Sequence, residues 1–200
     1  MLTSQQCFQV FESCIRDYHV VDHVDQPLHI PYAPGTAEHL LYRKNWIDTV
    51  QWHLEDIIRN PAIDPAEALQ LKRRIDASNQ DRTDLVEVLD NLLLQELTPA
   101  TADPVAPLNT ETPAWAIDRL SILALKIYHM RVEAERTDVD EVHRQRCSAK
   151  LAVLLEQQAD LSGSIDALLD DIRTGKKRMK LYRQMKMYND PSLNPVLYKK

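Results

Sequence analysis

The chain has 200 residues, 44% of them hydrophobic and 27% charged, with a formal net charge of −6. That is enough chain to bury a substantial core in one domain, with or without tails. Only three glycines occur, Gly35, Gly163 and Gly175, too few for a phosphate-cradling glycine loop or a dinucleotide-binding fingerprint. No apolar run approaches the length of a membrane span. The N-terminus also lacks a basic stretch followed by an apolar one, as a signal peptide would have, so a soluble cytoplasmic protein is expected.

An odd number of cysteines without paired spacing, Cys7, Cys14 and Cys147, argues for buried reduced thiols rather than a disulfide framework or zinc knuckle. Charge is uneven along the chain. Residues 173–200 hold nine Lys or Arg and the single acid Asp190, a balance of +8 that leaves −14 on the remainder. An acidic body with a basic tail points to packing of the tail on the body, a second subunit forming a homodimer, or an anionic partner. Nucleic acid fits poorly, because the acidic body would repel phosphate.

Glycine poverty and abundant Leu, Ala, Glu and Arg favour helices. Phe8, Phe11, Ile15 and Tyr18 recur at helical spacing and predict a first helix over about 4–19. Residues 22–35 hold three prolines and a glycine and read as an irregular crossing. Thr36 starts a second helix that stops before Pro61. Its core stripe is Leu40, Ile47, Leu54 and Ile58, and a second face carries Asn45, Asp48, Trp52, Asp56 and Arg59, with Glu55 at the margin. Trp52 ringed by carboxylates could stack on a flat ligand while Glu55 and Asp56 take polar groups.

Asp64, Pro65 and Glu67 mark the start of a third helix, a capping residue followed by proline in the first turn. It runs to about Leu97 with Leu71, Ile75, Leu85, Leu89 and Leu93 facing the core. Arg82 falls inside that stripe, which demands a carboxylate partner, a bound anion or a snorkelling stem. Asp81, Asp84, Glu87 and Asp90 recur every three residues, drift round the helix and read as a solvated face. Glu87 and Asp90 complete an ExxD pattern, but no ExxE accompanies it, so a helical pyrophosphatase is not supported.

Residues 98–109 hold three prolines and form a connection. A fourth helix begins with Thr112 as cap and Pro113 as first residue. It is apolar almost all round, so it belongs at the centre of a bundle, yet it carries Asp118, Arg119, Lys126 and His129. Asp118 and His129 share a face but lie about 16 Å apart along the axis at 1.5 Å per residue. Asp118 could, however, meet Arg82 or a residue of the second helix, and His129 reads first as a core histidine. No Glu-x-x-His pair occurs, and no metal-ligand set is assigned.

Asp138 with Glu141 marks a fifth helix that Gly175 ends. A short basic helix over about 177–188 and an extended tail follow. The whole is an all-α antiparallel bundle of about five long helices over 1–175, with a basic C-terminal segment, 176–200, packed on the bundle or on a partner.

Trp52 with Glu55-Asp56, the run Lys72-Arg73-Arg74-Ile75-Asp76, Asn79-Gln80-Asp81-Arg82, Glu111-Thr112-Pro113, Asp118 to Leu123 and Lys126 to His129 together resemble an uncharacterised helical bacterial family, DUF4254. The likeness runs over about residues 5–188, and an expected Arg-Asn-Asp is here Arg82-Thr83-Asp84. The resemblance implies an association with glycosyltransferases and cell-envelope glycan assembly, and hence sugar nucleotides or sugar phosphates as ligands. It carries no established activity or cofactor. The site expected from the residues joins Trp52, Glu55, Asp56, Arg82, Asp118, Arg119 and His129. A structural interaction module, or an enzyme with a divalent cation at Glu55, Asp56 and Asp118, are the competing readings.

Overall fold

The computed structural model describes residues 2–97, 104–185, 187 and 190–199. Its helices are α1 (Ser4–Tyr18), α2 (Ala37–Ile58), α3 (Pro65–Leu97), α4 (Pro113–Glu135), α5 (Glu141–Arg173) and α6 (Pro195–Tyr198). Among the described residues there is no strand, and no helix is long and apolar enough to cross a membrane.

Helix α4 is the axis of the bundle and touches α1, α2, α3 and α5. Its sequence explains why. Ala114, Ala116, Ile117, Leu120, Leu123, Ala124, Leu125 and Ile127 are buried and cover far more than one helical stripe. Around it pack Phe11, Ile15 and Tyr18 of α1, Val86, Leu89 and Leu93 of α3, and Ile165, Leu168 and Ile172 of α5. Ser4 fastens α1 to α5 by donating both its backbone N–H and its hydroxyl to Asp166, each at 2.7 Å.

The helix starts follow local chemistry. Thr36 and Thr112 accept from the third residue beyond them, and Asp64 accepts from Ala66 and Glu67 N–H groups. Helix α5 is capped by Asp140, two residues later than the Asp138 expected. Gly175 adopts φ +75° just after α5, a conformation that lets the chain leave the helix without steric cost. Cys7, Cys14 and Cys147 are free and buried, as expected.

Three sequence expectations change. In α2 the apolar stripe is only half covered: Leu40, Ile47 and Ile58 are partly exposed, whereas Lys44, Asn45 and Asp48 lie in the interior. The most deeply buried face is thus partly polar. Asp90 is not solvated: it is 4% exposed and accepts from the Thr112 hydroxyl at 2.5 Å and the Ala114 N–H at 3.0 Å. A carboxylate there satisfies orphan donors at the start of α4 and complements the positive helix end.

Over 177–185 the basic segment is also not the helix expected over 177–188, and residues 186 and 188 of that expectation lie outside the described residues. Residues 178–185 carry no helix, and the short helix α6 lies further on. Arg178 N–H donates to the Pro107 carbonyl at 3.1 Å and Gln184 N–H to Glu87 at 2.9 Å. These docked backbone donors replace intrahelical bonds, and Lys/Arg repulsion within one short helix is avoided.

Asp90→Ala should lower the unfolding free energy by about 2 kcal/mol, the scale of losing a buried charged cap. Urea denaturation followed by circular dichroism measures it. A loss under about 0.5 kcal/mol, the scatter of ordinary surface substitutions, would show that the cap is solvated.

Candidate functional site

Four charges from three helices meet inside the bundle. Lys44 and Asp48 stand one turn apart on α2, so both side chains reach the same side and pair directly. Lys44 Nζ also lies 2.8 Å from Asp118 Oδ1 on α4 and donates to the Asp118 carbonyl at 3.1 Å. Arg82 of α3 donates through Nε and Nη2 to the two Asp118 oxygens, at 2.8 and 2.5 Å, a bidentate fork. Its Nε is 3.4 Å from Asp48 Oδ1. Ser121 donates to Asp48 at 2.6 Å and receives Asn45 Nδ2 at 2.9 Å.

Two cations and two anions cancel, which is how charge survives in a packed interior. Burial alone would raise the Asp118 pKa, but the Arg82 hydrogen bonds and the Lys44 charge outweigh it and hold the group below its ordinary value. Burial raises Asp48 above its ordinary value against the pull of Lys44, and Asp118 adds to the rise. Hydrogen bonding to Asp118 keeps Arg82 charged.

Two members of this network, Arg82 and Asp118, reach a cleft. A cavity of about 910 Å³ between α4 and α5 is lined by Arg82 and Asp118 together with Glu111, Arg119, Lys126, Asp160, Ser164 and Lys177. Arg82 is a quarter exposed and presents its remaining edge there. Arg119 pairs with Glu111 at 2.8 Å, while Lys126 is exposed and forms no ion pair among the described residues. A second hollow of about 470 Å³ shares Asn109, Glu111 and Arg119 with the first. Trp115, Met179 and Tyr182 give it flat and apolar walls, and Arg178, Lys180 and Arg183 surround them.

Of the residues singled out from sequence, Arg82, Asp118 and Arg119 come together in the cleft. Trp52 and His129 stand elsewhere: the rings stack at 4.7 Å and 5° beside His19, His53 and Tyr128. Burial, followed by the neighbouring His19 and His53, lowers His129 to about 4. Glu55 pairs with Arg59 at 3.2 Å near the end of α2, and Asp56 is exposed. Neither carboxylate lines the cleft with Asp118. Lys44 and Ser121 were not foreseen. A Lys-x-x-x-Asp pair beside Asn45, at the border of the apolar stripe, is the signal the sequence offers.

Residues 38–181 match the family described as "Protein of unknown function (DUF4254)", well over half of the chain, and the chain belongs to that family. No curated protein and no solved structure matches it.

Asp118→Asn leaves Arg82 and Lys44 short of a counter-charge and should cost about 3 kcal/mol at neutral pH. The depressed Asp118 pKa stabilises the fold fully above the unfolded value of about 3.9, and that contribution is lost as pH falls through the lower folded value. The gap between wild type and variant should therefore narrow below pH 4 in denaturant titrations. A gap independent of pH there would contradict an ionised Asp118.

Proposed function

We propose that this member of the DUF4254 family binds a sugar nucleotide, or a phosphorylated sugar, in the double cleft, as an accessory protein of cell-envelope polysaccharide assembly in the cytoplasm. The observation that carries the reading is the charge of the double cleft. Its walls hold seven cations against three acids, Glu111, Asp118 and Asp160, on a body that is otherwise strongly acidic. The basic segment supplies four of the seven: Lys177, Arg178, Lys180 and Arg183.

The division of labour follows from chemistry. Arg82, Arg119 and Lys126 suit phosphate oxygens, the guanidinium groups by planar paired donation and Lys126 as a point charge. Asp160, Ser164, Gln157 and Asn109 suit sugar hydroxyls. Trp115 and Tyr182 offer faces on which a base can stack. Asp118 acts through Arg82, whose fork it orients. Two of the three acids are already engaged by cations, which favours binding over acid–base catalysis. A glycosyltransferase is the partner to which such a protein would deliver or withhold its ligand.

Calorimetric titration of a pyrimidine nucleoside diphosphate sugar, its nucleoside diphosphate and its sugar 1-phosphate tests the reading. Binding should be tightest for the intact nucleotide sugar. Lys126→Met should weaken it about tenfold with an unchanged melting temperature, the cost of about 1.4 kcal/mol expected of one charged contact. No heat with any of the three compounds would overturn the proposal.

A second reading, self-association, draws on exposed apolar groups at the end of the tail: Val196 at 82% and Tyr198 at 53%. Sedimentation velocity of the full chain and of a chain ending at residue 189 separates the two. A dimer lost on truncation, with ligand titrations unchanged, would assign the tail to a homodimer interface.

A further inference from the structure

Away from the cleft, three histidines from three elements converge. His19 follows α1 directly, His53 lies on α2 and His129 on α4, and one ring nitrogen from each falls within 4.8 Å of the other two. His19 Nε2 and His53 Nε2 face one another at 3.3 Å. Tetrahedral zinc with bonds of about 2.0–2.1 Å sets its ligand atoms about 3.3–3.4 Å apart. That pair already spans one edge of such a tetrahedron.

Further observations point to a ligand rather than to simple packing. His19 Nδ1 lies 2.6 Å from the Ile15 carbonyl, which accepts its proton and leaves the Nε2 lone pair aimed at His53. Metal-binding histidines are held in this way. His129 Nε2 is buried with no hydrogen-bond partner among the described residues, although a buried ring nitrogen ordinarily finds one.

A fourth donor is at hand. Asp22 takes φ +55°, a conformation uncommon for a non-glycine residue. Its Oδ1 lies 3.6 Å from His53 Nε2 and 4.0 Å from His19 Nε2. Trp52 and Tyr18 stack on His129 and His53, and hold the rings in place.

We propose that His19, His53 and His129, with Asp22 completing the set, form a binding site for one divalent transition-metal ion of the zinc class. Three imidazoles and one carboxylate select zinc, cobalt or nickel over magnesium and calcium, which prefer oxygen. The bound ion clips the end of α1 and the loop after it to α2 and α4. Coordination through His53 Nε2 places that ring's single proton on Nδ1, so the imidazole binds in its neutral form.

The test uses full-length protein without a polyhistidine tag, stripped with a chelator and titrated with cobalt(II). One equivalent should bind and give the intense visible absorption of a four-coordinate ion, with the melting temperature raised. His53→Gln and His129→Gln should abolish the band; both side chains are partly exposed, and circular dichroism confirms that the variants fold. A competing group is controlled by Cys147→Ser, because His143 contacts Cys147 at 3.4 Å and Glu133 at 3.0 Å. A spectrum no stronger than that of aqueous cobalt, or a band that survives both histidine variants, or one lost in Cys147→Ser, would overturn the proposal. Should the histidine variants fail to fold, the wild-type spectrum and the Cys147→Ser control still decide.

Discussion

The bundle turns on one carboxylate. Asp118 sits on the central helix, 3% exposed, and receives a lysine from α2 and an arginine from α3. A packed interior pays heavily for an isolated charge, so α2 and α3 cannot slide relative to α4 without separating ions in a low-dielectric space. Apolar packing is tolerant of small shifts in register, whereas a bidentate fork is not. The network therefore supplies what Leu and Ile contacts alone do not: a single permitted alignment of three helices. It also holds a guanidinium edge at the lining of the cleft.

The basic segment completes the molecule in a second way. Its own sequence, Lys and Arg interleaved with Met and Tyr, is compatible with a helix, but the body offers it backbone partners. The Pro107 carbonyl and the Glu87 carboxylate take its N–H groups, and the Pro104 carbonyl takes the Arg178 side chain. Docked as a strap, it brings positive charge over the start of α4, a place where the helix already favours anions. The acidic body and basic tail are thus parts of one electrostatic surface.

What could be read from the sequence depended on whether the signal was local. Helix starts at Thr36, Asp64 and Thr112 were legible because a cap and its first turn are contiguous. The centrality of α4 was legible from its all-round apolar surface. The Arg82–Asp118 pair was legible as well, because an arginine in an apolar stripe demands a carboxylate and the neighbouring helix had one to give. Lys44 stands one turn from Leu40 at the border of the apolar stripe, where a lysine reads as a snorkelling side chain rather than an interior charge. Asp90 was hidden by the regular spacing of its acidic neighbours, and its partners come from a different helix. The histidine cluster left no trace of periodicity, since its members are separated by whole helices and by the bend at Asp22. Tertiary convergence of this kind follows from the fold and is not written in any window of the chain.

The two wholly buried thiols of α1 give the molecule an internal reporter. Cys7 and Cys14 are 0% exposed, and burial pushes both thiols up, Cys7 to about 12. Only the thiolate is nucleophilic, so an alkylating reagent finds neither group while α1 is seated. Each cysteine becomes labelled only during excursions in which that helix lifts from its neighbours. The labelling rate then counts those openings directly, and it does so without any introduced probe.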